Sequence, residues 1–233
     1  MIDTTINMYS DANGGDPDVT SPTLRTYHKL LWSKPLPSGD LFDLSIDKPS
    51  YYLYHRSELG EFSLGSDAIT HSYSKQNKKK WLTTQLPTEV QELFDRGSTI
   101  GAYLIFPNRR VNRKQTINQA RGMLRLIDDR FDLTLECIRR FYIGEPNPLE
   151  DTLKRYSSFF HLFDTFNGYI NFFLLNDLVD ENGGVKFYLP FDDFKSPPDF
   201  RNVEDYLLYK KRVESFIESR NQRISDYSGQ IDT

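Results

Sequence analysis

Cysteine is almost missing from this chain, with Cys137 the only one in 233 residues. An intramolecular disulfide is thereby excluded, and with it the disulfide-stapled small secreted folds. Uninterrupted apolar runs are lacking too. The longest apolar tract, 158–179, carries Asp164, Asn167, Asn171 and Asn176, which would sit unsatisfied in lipid, so no membrane span is expected. Histidine is sparse: four residues, without HxxxH or HExxH spacing, give no readable zinc site. The opening residues, MIDTTINMYSD, have neither a basic segment nor an apolar one, so no signal peptide is expected. What a packed core needs is present, with 38% hydrophobic and 14% aromatic residues. A chain of this size buries about 70% of its unfolded surface without disulfide or metal. The class indicated is an aromatic-rich, cytoplasmic α+β protein.

Net charge is only −4, yet it is unevenly placed. Residues 1–70 sum to −5, residues 71–145 to +6 and residues 146–233 to −5. A basic middle between acidic flanks invites an anionic partner, although charges pairing across the folded surface would look the same in sequence.

Residues 1–20 are polar and rich in glycine and aspartate and read as a loose arm, with a single α+β domain over 21–228. Ser21-Pro22 starts a helix to about residue 32, because proline at the first helical position loses no hydrogen bond. Short extended segments at 41–46, 51–55 and 61–64 suggest an antiparallel meander. Residues 87–96 read as a helix stopped by Gly97, and 100–106 as a buried strand. From Ile117 to Phe141 apolar residues recur at spacings of three and four, the pattern of a long helical stripe, with Gly122 a weak point that also allows two helices with a bend. A second long helix is expected over 149–179, a strand over 185–189 and a final helix over 202–227. The expected architecture is a small antiparallel sheet from the N-terminal half packed on a bundle of long helices from the C-terminal half.

Two basic loops stand out. Arg109, Arg110, Arg113 and Lys114 crowd into 108–114, and Lys78, Lys79 and Lys80 precede Trp81. Such loops can neutralise phosphates and offer an aromatic face to a base. Within 128–140, Asp132 and Glu136 could hold a cation or act as general bases, though arginines three and four residues away make ion pairing the plainer reading. Asp164, Asn167 and Asn171, with Arg130 and Arg139, are candidate polar groups for an aromatic pocket between the two long helices. Asp192-Asp193-Phe194-Lys195 carries only a fragment of a metal-nuclease pattern. Cys137, beside Ile138 on a helical stripe, reads as a packed thiol. No Walker loop, helix-turn-helix, zinc finger or RNP motif is present, and no cofactor is implied.

Arg155 and His161 are six apart, a spacing that resembles the R-x(4–6)-H signature of the HEPN ribonucleases. That resemblance implies His161 as acid/base and Arg155 on the phosphate. A longer composite pattern joins 23–37 (TLRTYHKLLWSKPLP), 116–122 (TINQARG), 129–140 (DRFDLTLECIRR) and 190–194 (PFDDF). Together these resemble an uncharacterised bacterial family of hypothetical proteins, over about 23–227. The resemblance implies one architecture and no activity. The leading functional expectation is a protein that binds or processes RNA or DNA, of defence or toxin type. The alternatives are a small-molecule enzyme or sensor, and a non-catalytic protein-interaction domain.

Overall fold

The computed structural model describes residues 2–73 and 79–231, so Lys78 of the first basic loop lies outside the described residues. Residues 2–20 are not a loose arm. Helices α1 (Met8–Asp11) and α2 (Pro17–Thr20) are capped by the side chains of Asn7 and Asp16. Ile2 and Met8 are buried, and Asp11 accepts hydrogen bonds from Ser21 and Thr23. The polar residues that suggested looseness serve as caps and anchors, while the few apolar ones enter the core. Helix α3 (Pro22–Trp32) begins as its sequence indicates, with the Ser21 hydroxyl accepting from Leu24 N at 3.0 Å.

A two-stranded ribbon, β1 (Lys34–Pro35) and β2 (Leu41–Phe42), precedes an antiparallel sheet of order β3 (Leu53–Ser57), β4 (Gly60–Ala68) and β5 (Tyr103–Pro107). Leu64 of β4 lies opposite Leu53 on one side and Pro107 on the other. Helices α4 (Lys80–Gln85) and α5 (Pro87–Arg96) separate β4 from β5, and Ile100–Ala102 is a 3₁₀ turn leading into the strand. The strand expected over 185–189 is reduced to one bridge between Val179 and Val185.

The apolar stripe of 117–141 is two helices, α6 (Ile117–Met123) and α7 (Phe131–Ile143). Asp128 and Asp129 adopt φ of 46° and 63°, turning the chain so that Asp129 N donates to Arg121 O at 3.0 Å. The tract 149–179 is likewise divided into α8 (Glu150–Arg155), α9 (Ser157–His161) and α10 (Phe166–Phe172). Asp164 and Leu174 break it with φ of 62° and 54°. At Gly168 a side chain is impossible, since a Cβ there would lie 2.0 Å from Phe163 O. Breaking the tract lets its rings cluster around Trp32, with centroids 5.2 Å apart for Trp32–Phe173 and 4.9 Å for Tyr169–Phe173.

The expected bundle of long helices is therefore corrected to one long helix, α11 (Val203–Ile231). It buries Tyr206, Tyr209, Val213, Phe216, Ile217 and Ile224, with Arg220 wholly buried in the same stripe. The Arg220 guanidinium donates to Gly101 O and Tyr103 O at 2.8 Å and to Phe173 O at 3.1 Å, joining α11 to the start of β5 and to the aromatic cluster. No described helix is long and apolar enough to cross a membrane.

Candidate functional site

Strand β5 ends at Pro107 and releases the second basic loop beside α8 and α9. Asn108 ties the loop's start to β4, its side chain accepting from Ser63 Oγ at 2.6 Å and its N–H donating to Ser63 O at 3.0 Å. The Tyr156 hydroxyl donates to Arg109 O at 3.0 Å, and Arg155 Nη2 donates to Gln115 O at 3.0 Å. Between these anchors Asn112 and Arg113 take φ of 52° and 60°. Arg109, Arg110, Arg113 and Lys114 are exposed, and no described residue forms an ion pair with any of them.

A cleft of about 330 Å³ lies against this loop, with Arg109, Arg110, Arg155, Tyr51 and Tyr156 in its walls. Glu61 also lines it, but its carboxylate is taken by Lys48 at 3.0 Å, and Lys48 in turn lies over Tyr51 and Tyr54. The cleft shares Ser158 with a cavity of about 500 Å³ that contains His161 and Asp164. On its other side it shares Tyr51 with a cavity of about 640 Å³ lined by Arg25, Lys29 and Tyr52. The three cavities are linked in series by shared lining residues, Ser158 at one junction and Tyr51 at the other.

The first basic loop does not add its lysine to this groove. Lys79 is buried, with Nζ 2.6 Å from Asp128, 3.5 Å from Asp199 and 4.4 Å from the centre of the Tyr73 ring. Its charge is spent inside the fold. Lys80 is exposed, whereas Trp81 is half-buried and packs against the core. Arg155 and His161 do not form a joint pair on one helix. The chain breaks at Tyr156, Arg155 is tied to Asp151 O and Thr152 Oγ1, and His161 stacks on Phe141 in the adjoining cavity.

Asp132 and Glu136 are also spent. Asp132, wholly buried, takes both Nε and Nη2 of Arg130 and the Tyr188 N–H; Glu136 binds Arg139 and Arg140. Against the effect of burial, Arg139 and Arg140 hold the Glu136 carboxyl below its ordinary value. The second long helix is divided, and the candidate polar groups separate: Asp164 lines the cavity with His161, and Arg130 lines another beside α7. Asp164, Asn167 and Asn171 are exposed, and Asn171 Oδ1 accepts from Asn176 Nδ2 at 2.7 Å. Among the described residues no group of three or more His, Cys, Asp or Glu could hold a metal ion. Cys137 is buried, and burial pushes its thiol up to about 12.

A buried charge network escaped sequence reasoning. Arg121, with no exposed surface, binds Asp67 and Asp129, and His71 Nε2 meets Asp129 at 2.8 Å. Burial works against the His71 cation, but Asp129 outweighs it and the pKa rises. Asp67 is raised to about 6 by burial, against the pull of Arg121. Its members come from 67 to 129, so no local spacing announces them.

Asp18 on α2 is the network's neighbour. Its Oδ1 is buried without a hydrogen-bond partner, and burial, followed by the charges of Asp67 and Asp16, raises its pKa to about 7. A carboxyl that holds its proton better folded than unfolded loses stability as pH rises, here from about 4 to about 7. Asp18→Asn is expected to come close to the wild type near pH 4.5 and to exceed it by about 3 kcal/mol at pH 8, one proton's slope of about 1.4 kcal/mol per pH unit up to the folded pKa. Urea denaturation at both pH values checks this; an equal gap at both contradicts it.

The DUF6994 family, described as a family of unknown function, matches residues 2–224, and the chain belongs to it. No curated protein and no solved structure matches the chain.

Proposed function

We propose that this member of the DUF6994 family is a cytoplasmic protein that binds a single strand of RNA or DNA along the Arg109–Arg110 groove. The observation that carries the reading is the pair of arginines free of acidic partners on the wall shared by Arg155, Tyr51 and Tyr156. Elsewhere in the fold the arginines are largely consumed, as at Arg121, Arg130, Arg140 and Arg220. Unpaired guanidinium groups bind phosphates and release counterions, and a partly exposed tyrosine offers a stacking face for any base. A row of cavities suits a linear chain better than a compact metabolite.

The test is fluorescence anisotropy with labelled single-stranded RNA and DNA. An Arg109→Glu/Arg110→Glu variant is expected to lose affinity at least about tenfold, since two phosphate contacts become repulsions. Its slope of log K against log salt is expected to fall by about 1.4, at roughly 0.7 per phosphate. Binding unchanged by the double reversal contradicts the proposal.

A further inference from the structure

A separate cavity of about 360 Å³ lies where α7 meets the 189–199 segment, and it shares no lining residue with the groove. That volume is at the lower end for small-molecule sites, which run from roughly 300 to 1,000 Å³. One side of its wall is apolar, with Leu133, Leu189, Phe191, Phe194 and Pro198. The two rings meet edge to face at 4.8 Å, Phe187 stacks behind Phe191 at 4.1 Å, and Arg140 covers Phe194 while binding Asp193. The aromatic wall is therefore held in place without a ligand.

Arg130 supplies the polar group. Its side chain is 2% exposed, yet it lines the cavity. Nε and Nη2 are bound by Asp132, and Nη1 donates to no described residue. An acceptor placed in this cavity meets a guanidinium N–H on a side chain largely withdrawn from solvent, where a hydrogen bond is stronger than at the open surface. The charge balance selects which acceptor. Asp132 neutralises Arg130, Asp205 neutralises Arg201, Lys79 is shared between Asp128 and Asp199, and Asp192 stands at the cavity wall with no basic partner among the described residues. An anion would meet net negative charge there, whereas a ring N–H would find acceptors.

We propose that this cavity is a second binding site, taking an uncharged, flat heteroaromatic molecule that carries a carbonyl acceptor and an N–H donor, as a free nucleobase or nucleoside does. The carbonyl faces Arg130 Nη1, the ring lies against Phe191 and Phe194, and the N–H groups face Asp192 or Asp199. The strand groove and this site are independent, so either can fail without the other.

Saturation-transfer NMR on the full chain tests it, with guanosine and uridine as probes and benzamide against benzoate as a pair of matched shape. The nucleosides and benzamide are expected to give saturable signals, with benzoate at least about tenfold weaker because of the acidic wall. Leu133→Trp fills the cavity, and Ser196→Trp blocks it from an exposed position outside the core. Both are expected to abolish the signals, while Arg109→Glu/Arg110→Glu leaves them unchanged. If Leu133→Trp fails to fold, Ser196→Trp decides. No signal from any probe, a signal that survives Ser196→Trp, or benzoate binding as well as benzamide would overturn the assignment.

Discussion

Replacing Arg121 by methionine is expected to cost about 3–5 kcal/mol of stability at neutral pH, the range for breaking a buried ion pair from one side. The guanidinium is wholly buried and serves five acceptors: Asp67, the side chain and carbonyl of Asp129, Ala68 O and Thr134 Oγ1. Methionine fills much of the volume but satisfies none of them, leaving two carboxylates facing one another with only His71 between their charges. The left-handed backbone at Asp128 and Asp129 would also lose the donor that holds Asp129 O at 2.8 Å. The cost is expected to shrink toward pH 5, as the stranded carboxylates take up protons. Urea denaturation at pH 8 and pH 5 gives both numbers. A loss below about 1 kcal/mol at pH 8 would show that the network is not structural.

The second large effect is acid lability from His28. This ring is wholly buried, with Trp32 Nε1 donating to Nδ1 at 3.0 Å and Ser66 Oγ 2.9 Å from Nε2. Burial, reinforced by the charge of Arg220, lowers its pKa to about 3. A histidine that protonates less readily folded than unfolded confers stability that is complete above the unfolded value, near 6.5, and is lost as pH falls toward 3. The slope is one proton, about 1.4 kcal/mol per pH unit, so several kcal/mol are at stake by pH 4. Asp18 contributes the opposite slope between about 4 and 7, so the two largely cancel in the wild type. The informative quantity is the difference between wild type and His28→Gln in stability measured from pH 7 to pH 4. That difference is expected to narrow by about one proton's worth across the window; a constant difference contradicts the assignment.

Local signals in the sequence were read correctly wherever a single residue decides the outcome. The Ser21-Pro22 start, the Pro87–Arg96 helix with Gly97 after it, and the pairing of β3 with β4 are examples. Helix continuity was only partly legible: Gly122 marked a weak point in the 117–141 stripe, and the first helix ends one residue later, but nothing marked the turn that follows. The three-and-four spacing passes through Leu124 and Ile127, although Asp128 and Asp129 reverse the chain directly afterwards. Periodicity reports which side chains face inward, and a loop that packs its apolar residues inward satisfies the same pattern. The 149–179 tract misled for a related reason: its rings meet one another across breaks at Asp164 and Leu174, not along one helix face.

The site was half legible. Arg109, Arg110 and Arg155 were identifiable as cations, and the structure brings them to one cleft. Lys79 and Asp132 carried the same kind of signal but are consumed by Asp128 and Arg130, a difference set by tertiary partners far away in sequence or by burial. Tyr51 joins two cavities of the groove and Phe191 walls the separate cavity beside α7, and neither had a motif to mark it. The composite pattern over 129–140 is chiefly structural, since Arg130, Asp132, Glu136 and Arg140 are bound to one another or to Asp193.

The groove itself is tested most directly by cross-linking. A short thiouridine-labelled RNA, irradiated with the full chain at low salt and digested for mass spectrometry, reports which residues touch bases. The account places the adducts on Tyr51, Tyr52 and the 109–113 loop, with their yield falling steeply as salt rises and in Arg109→Glu/Arg110→Glu. Adducts confined to other surfaces, or a yield indifferent to salt and to the double reversal, would contradict it.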